Sequence, residues 1–312
     1  MHRPDPETLT SPRPSALPVV AVCAANMFLA SGPLFVRLAD TGPVAAAFWR
    51  IALAAPVLLI AANLLRERPI ATARGLWGVL ALSGMAFALD LGSWHIGILQ
   101  TTLANSTLFG NSATLIYPIY GFIVARAWPT RTQAAALALA AVGGAVLLGR
   151  SAELSPQNLV GDLFCLLAGV LYAVYFILMA RVRRAMPPVS ALALSTLASA
   201  APLLILALAL GDRVIPVDWT PLILLALFSQ LIGQGLLIYA IGHLPPLIVG
   251  LALLIQPVVS ATIGWVWFDE RLGMADLGGA VLIAVALVLV RRPERRAKVP
   301  LASNPADPRS VA

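Results

Sequence analysis

Long apolar runs fill the chain, broken at short intervals by clusters of charge or by Pro and Gly. A helix crossing a hydrocarbon layer of roughly 30 Å needs about 20 apolar residues at roughly 1.5 Å each, so each run predicts one crossing. Ten emerge, approximately Leu17–Leu38, Pro43–Leu65, Leu76–Leu99, Leu103–Ala125, Thr132–Leu148, Leu159–Ala180, Val189–Leu210, Pro221–Ile241, Pro246–Phe268 and Leu272–Val290. The connection near Gln100 is so short that the third and fourth spans must form a tight hairpin. The expected fold class is all-α and integral to a membrane, with ten transmembrane helices. Residues 1–16, with Pro4, Pro6, Pro12 and Pro14 among polar neighbours, lack helical periodicity and read as a disordered lead. No cleavable signal is expected, because the apolar run from Leu17 is as long as a full span. The basic stretch 293–312, rich in Arg, Pro and Ser, reads as a disordered tail.

Charge gives the orientation. With the N-terminus in the cytoplasm, Arg3, Arg13, Arg66, Arg68, Arg74, Arg126, Arg131, Arg181, Arg183, Arg184 and the cluster from Arg291 to Arg309 fall inside, sixteen basic residues in all. Only Arg37, Arg150, Arg213 and Arg271 face out, and Arg50 lies within a span, which accounts for all 21 Lys and Arg. A split this lopsided follows the positive-inside rule and puts both termini in the cytoplasm of a cell (inner or plasma) membrane. Composition agrees: 60% hydrophobic and 11% charged residues, with a mean hydropathy of +0.89, leave too little polar surface to coat a soluble globule. The net charge of +7 sits in loop clusters instead of on one face, which argues against nucleic acid as a partner. Cys23 and Cys165 each lie inside an apolar run and read as packing residues, so neither a disulfide framework nor a metal site is expected. No cofactor is expected.

The chain also repeats itself. Gly143-Gly144-Ala145-Val146 resembles Gly278-Gly279-Ala280-Val281, and Pro43-Val44 and Pro56 correspond to Pro188-Val189 and Pro202. Each half, residues 17–150 and 151–292, then holds five spans, and an odd number makes the second half enter the membrane the opposite way. Inverted repeats are the build of an alternating-access carrier with its site near the midplane.

These patterns come with a resemblance, over roughly Leu17 to Arg292, to the drug/metabolite transporter superfamily and its ten-helix EamA-like exporters. It is carried by Phe48-Trp49-Arg50, Asp90-Leu91, Trp94-His95, the run Thr102-Leu103-Ala104-Asn105-Ser106-Thr107-Leu108 through Asn111, Pro257, Asp269-Glu270-Arg271-Leu272 and Gly278-Gly279. Two positions depart from the family pattern. Thr114 stands where a proline is usual, with Pro118 a turn later, and the first-half Glu-Arg pair is replaced around Ala127-Trp128. The resemblance implies secondary export of small metabolites such as amino acids. In agreement, no Gly-rich loop ending in Lys-Ser/Thr offers a cradle for a nucleoside triphosphate.

Ionisable groups within spans cost at least ~2.5–3.5 kcal/mol each on insertion scales, so each needs a partner or a task. Arg50 and Asp90 come within about 5 Å in depth when counted from their span centres. They either fix how the two helices pack, as an ion pair or with each separately hydrogen-bonded, or meet a solute's carboxylate and ammonium respectively, with Asp90 also able to carry a proton. His95, about 140° around the helix from Asp90, reads either as a proton relay or as a hydrogen-bonded helix contact, the contact being favoured. Ser83, Asp90, Trp94 and Gly97 share one face, as do Thr107, Asn111, Thr114 and Pro118 on the fourth span. Gln230 and Gln234 either bond across one turn or line the path. With Asn26, Tyr172 and Tyr175 they complete the candidate lining, and Pro118 and Pro257 are candidate hinges. Gly161, Cys165 and Gly169 form a groove suited to close helix approach. Asp269 and Glu270 sit where the tenth helix begins and read as its caps.

The expected partners are the bilayer and a small-molecule solute, an amino acid or similar metabolite. A monomer is the expectation, with the oligomeric state left open by the sequence. An enzyme is disfavoured, because no His-Glu-x-x-His, Gly-x-Ser-x-Gly or clustered carboxylate motif occurs. Uniport, proton-coupled antiport of drugs or other metabolites, and a non-transporting receptor or scaffold remain as alternatives.

Overall fold

A computed structural model describes residues 16–113, 116, 130–241, 243–244, 252–253, 255–271 and 273–290. The polar lead and tail, and the candidates Thr114 and Pro118, lie outside the described residues. Among those described, all regular structure is helical: α1 (Ala16–Ala30), α2 (Gly32–Leu38), α3 (Pro43–Leu64), α4 (Pro69–Thr72), α5 (Trp77–Ile98), α6 (Leu103–Gly110), α7 (Arg131–Leu154), α8 (Pro156–Val182), α9 (Pro188–Ala209) and α10 (Thr220–Leu224). A π-helical segment, Leu225–Gln234, then leads into α11 (Gly235–Ile241), followed by α12 (Ile255–Phe268) and α13 (Met274–Val290). Six stretches are long and apolar enough to cross a membrane: Ala16–Leu38, Pro43–Leu64, Trp77–Ile98, Pro156–Met179, Pro188–Ala209 and Thr220–Ala240. The other four predicted stretches contain α6, α7, α12 and α13.

Three local features depart from uninterrupted α-helical spans. The first run breaks at Ser31, because Pro33 cannot donate to the turn before it, and the Ser31 hydroxyl donates instead to the Phe28 carbonyl at 2.6 Å. The short α4 stands between the second and third runs. In the eighth, ten residues wind as a π-helix, a form found mostly at functional sites.

The centre of the bundle is built from α3, α5, α8 and α9, with α5 packed along α8 and α9 along both α3 and α5. Around it, α1 packs on the π segment and α11, α12 lies against α1 and α6, and α7 runs along α13. The outside is apolar, with Val20, Ile60, Leu82, Ile205 and Trp267 exposed, whereas Asn26, Arg50, Asp90, Asp162, Gln230 and Gln256 are buried. This inside-out distribution is that of a protein solvated by lipid, and the chain is a multi-pass membrane protein.

Small residues let the helices approach. A methyl on Gly161 would sit 2.7 Å from the Gln100 carbonyl carbon, and one on Gly97 would sit 2.7 Å from the Gly161 carbonyl oxygen. The groove read from Gly161, Cys165 and Gly169 therefore takes the end of α5 and the start of α6 into near backbone contact.

The two central helices α3 and α9 end alike. At the end of α3, Leu65, Arg66 and Glu67 donate their amides to Ala61, Asn63 and Ala62; at the end of α9, Leu210, Gly211 and Asp212 donate theirs to Leu206, Leu208 and Ala207. Both endings pass through a left-handed residue, Arg66 at φ 58° and Gly211 at φ 73°. Each then presents an acid to the start of the other helix. The Asp212 carboxylate accepts from the Val44 and Ala45 amides at 2.8 and 2.9 Å, and the Glu67 carboxylate accepts from the Ser190 amide at 2.7 Å. Proline opens both helices, so these N–H groups are among the first that α3 and α9 have to satisfy. The helices are thus antiparallel and reciprocally capped, each cap worth about 1 kcal/mol.

Elsewhere Asp218 caps α10 by accepting from the Thr220 amide at 2.9 Å, which holds its carboxyl below the usual carboxylate range. The shared terminus predicts opposite outcomes for one pair of substitutions. Gly211→Ala puts a Cβ on a left-handed backbone and is expected to cost about 1 kcal/mol, whereas Arg66→Gly relieves such a strain and is expected to be neutral or stabilising. Thermal unfolding of the detergent-solubilised protein measures both.

Candidate functional site

Where α1, α3, α5, α6, α8, the π segment and α12 converge, a cavity of about 50 Å³ remains, room for a few water molecules. Its lining includes Arg50, Asp90, Trp94, Thr107, Asn111, Tyr172 and Gln234 from the candidates read in the sequence. Leu29, Phe87, Leu91, Gly110 and Gln256 complete it.

Arg50 is 3% and Asp90 7% exposed. No salt bridge or hydrogen bond joins them, so the direct ion pair is absent among the described residues, and of the packing readings it is separate hydrogen bonding that Arg50 shows. Arg50 Nε instead donates to Gln230 Oε1 at 3.1 Å, and its Nη1 has no hydrogen-bond partner. The guanidinium carbon lies 6.0 Å from the Trp94 ring. The Asp90 carboxylate accepts no hydrogen bond from a described residue and borders the cavity. Two ionisable groups of opposite sign thus border one small space without touching each other.

The walls fix these groups. Trp94 Nε1 donates to the Ser106 carbonyl at 3.0 Å, which holds the indole flat between α5 and α6. The Tyr172 hydroxyl lies 3.4 and 3.3 Å from the oxygen and nitrogen of the Gln234 amide. Tyr175 is fully buried behind Tyr172, their rings 5.8 Å apart and nearly parallel, and it stacks on Phe87 at 4.5 Å. It supports the wall without bordering the cavity. Gln230 and Gln234 do not bond each other: Gln230 turns to Arg50 and Thr196, and Gln234 to Tyr172.

Asn26 is also one layer back. Its Nδ2 donates to the Val22 carbonyl and its Oδ1 accepts from Gln256 Nε2, both at 2.7 Å, so it aims the Gln256 amide. His95 lies away from the cavity. Its Nδ1 is 3.1 Å from the Pro43 carbonyl and its ring packs edge-on against Trp94, the helix contact favoured in the sequence reading. Pro257 sits in the first turn of α12, next to Gln256.

Sequence reasoning passed over Gln256 and Asp162. Gln256 carries the same signal as Gln230, an amide in an apolar run, but its neighbour Pro257 drew the attention. Asp162, fully buried near the start of α8, accepts from the Thr101 hydroxyl and from Asn105 Nδ2, the latter at 3.3 Å. It anchors the α5–α6 hairpin.

A second polar cluster closes one end of the bundle. Arg37 donates to the carbonyls of Ile98 and Thr101 and to Glu270 Oε1, the last at 2.6 Å, and lies over the Phe268 ring at 4.8 Å. Glu270 Oε2 accepts from the Leu103 amide at 2.9 Å. Glu270 is therefore a helix cap, but of α6 and not of the helix that follows it, because Arg37 draws the carboxylate across the bundle. Asp269 stays exposed beside Arg271.

The family model of the EamA-like transporter family matches residues 159–292. The matched stretch is similar to an EamA-like unit and covers somewhat less than half of the chain. It supplies Tyr172, Gln234 and Gln256 to the cavity, together with the π segment that positions Gln230 and Gln234. A solved crystal structure at 18% sequence identity superposes with a TM-score of 0.62, covering 88% of this chain and 97% of its own. That likeness is one of fold, and it reaches well beyond the EamA-like unit into the first half. No curated protein matched the chain. The match is consistent with the drug/metabolite transporter superfamily, whose EamA-like members are membrane transporters.

Asn26→Leu leaves the buried Gln256 amide without its acceptor and is expected to cost about 1–3 kcal/mol of stability. Asn26→Ser keeps a neutral acceptor oxygen and is expected to lose less. Thermal melts of the two variants side by side decide it.

Proposed function

We propose that the chain is a secondary transporter exporting small metabolites, most of all amino acids and related zwitterions, by alternating access around the cavity. The observation that carries this reading is the pair of opposite, mutually unpaired charges on one wall-to-wall space. Arg50 offers N–H donors to a carboxylate and Asp90 offers oxygens to an ammonium, and Trp94, Tyr172 and Phe87 give flat apolar surface for the rest of the solute. A cavity of this size holds only water, so a solute enters when the helices part.

Two inverted five-helix repeats, residues 17–150 and 151–292, in ten spans with both termini cytoplasmic, supply the framework for that motion. The matching ends of α3 and α9 and their reciprocal caps support it, since an inverted repeat places equivalent residues on opposite sides. The contact pattern supports it further, because α5 against α8 exchanges under the repeat with the π segment against α1. Arg37 and Glu270 then close the outer end. At the inner end Arg183 donates to the Ile238 carbonyl at 3.0 Å, and burial lowers its pKa from the usual arginine value. The EamA-like unit and the cell (inner or plasma) membrane fit this assignment, and neither names the solute.

A second reading, proton-coupled antiport, is favoured by Asp90 alone: a carboxylate without protein donors is free to take either a proton or a cation. Counterflow of radiolabelled amino acids in proteoliposomes, with and without a proton gradient, tests both. Saturable flux is expected, falling at least tenfold in Asp90→Asn and in Arg50→Leu. Flux that persists in both variants would remove the cavity from the mechanism, and sensitivity to uncouplers separates antiport from uniport.

A further inference from the structure

We infer that Gln230, which does not border the cavity, determines what the cavity selects: its neutral amide positions Arg50 while leaving the guanidinium's charge and its Nη1 edge for an anionic group on the solute. The inference rests on the transport reading and adds to it the residue that sets charge preference.

A guanidinium has donors and no acceptor, so a side chain that grips it must present oxygen. Gln230 is fully buried, and its amide has two ends. Oε1 takes the Arg50 Nε hydrogen at 3.1 Å, while Nε2 donates to Thr196 Oγ1 at 3.1 Å. Turning the amide over would set its NH2 against the Arg50 N–H, donor to donor, with only the Thr196 hydroxyl able to adapt. The Thr196–Gln230–Arg50 chain therefore has one satisfactory direction, and it fixes the guanidinium by its Nε edge. Nη1 is left buried and without a partner, although a buried arginine ordinarily completes its hydrogen bonds.

The usual grip on a buried arginine is a carboxylate. Glutamate at 230 would fit the same shape, with one oxygen on Nε and the other accepting from the Thr196 hydroxyl, but it would cancel the charge. Asp90 acts on Arg50 only across a distance, since no ion pair or hydrogen bond joins the two, and it leaves the Nη1 edge uncovered. What remains is a fixed cation with an open edge, the arrangement that receives a carboxylate by charge-assisted hydrogen bonds. Gln230 is thus a positioning residue that acts through Arg50, and its neutrality gives the site its preference for an anion.

The test reads the potential at the cavity and needs no identified solute. In full-length protein with Cys23 and Cys165 replaced by Ala, Thr107→Cys places a thiol on the lining. Its reaction rates with anionic sulfonatoethyl and cationic trimethylammonioethyl methanethiosulfonate are measured as a ratio. Gln230→Leu changes no charge, yet it is expected to lower the anion-over-cation ratio severalfold by releasing the guanidinium. Gln230→Glu is expected to lower it by about tenfold or more. In an Arg50→Leu background, Gln230→Leu is expected to have no further effect, the signature of a residue acting through Arg50. Thr196→Val, which frees the amide to turn over, gives a milder version and covers the case in which the Gln230 variants do not fold. The proposal is overturned if labelling proceeds while Gln230→Leu, or Thr196→Val in its place, leaves the ratio unchanged, or if the shift is equal without Arg50. Failure of both reagents to reach the thiol in every background would instead overturn the transport reading itself and this inference with it.

Discussion

Removing a charge from water inside a lipid-solvated bundle is expensive, and Arg50 and Asp90 are both removed without being allowed to meet. Most of the central architecture can be understood as the means of holding that separation. The guanidinium is gripped from behind through a neutral amide, and the carboxylate is left at the edge of a space large enough for water. Around them, aromatic side chains are locked by their polar tips, Trp94 on a carbonyl and Tyr172 on an amide. Had the two charges paired directly, the cavity would have kept only its neutral polar groups, such as Thr107, Gln234 and Gln256.

The framework that tolerates this frustration is made of helices whose ends are satisfied by their neighbours. Pro43 and Pro188 start α3 and α9, and the acid that completes each start comes from the far end of the other. The central pair is thereby fixed at both ends at once, and the middle, where Arg50 faces Thr196 through Gln230, need contribute little to stability. Close backbone approach at Gly97 and Gly161 does the same for α5 and α8. Polar contacts at the ends and small residues between them leave the centre free for function.

The apolar runs made the helical, membrane-embedded character legible, because membrane insertion forces length and hydropathy into the local sequence. Asp90, Trp94, Thr107 and Asn111 were legible for the same reason: a polar side chain in an apolar run has few innocent explanations. Which way a side chain turns was less so. Gln230 and Gln234 sit four apart on what reads as one face, yet a π-helical turn and the neighbours Thr196 and Tyr172 send them to different tasks. Glu270 reads as a cap of the helix beginning beside it and serves α6 instead, since the decisive partner, Arg37, is more than two hundred residues away in the chain. Asn26 gave its polarity to the reading but not its place behind Gln256. Local pattern carries burial and periodicity; it does not carry which of several long-range partners wins.

The cluster around Arg37 has a mechanical meaning. One guanidinium ties together the end of α2, the hairpin between α5 and α6, and the stretch between α12 and α13, while its carboxylate partner also holds the first amide of α6. Slipping any one of these elements by an ångström strains the rest without freeing them, so intermediate degrees of parting are the costliest. Under the proposed alternating access, such a fastening would behave as a latch with two positions instead of a spring, and α6, which carries Thr107 and Asn111, would move only when the whole knot lets go.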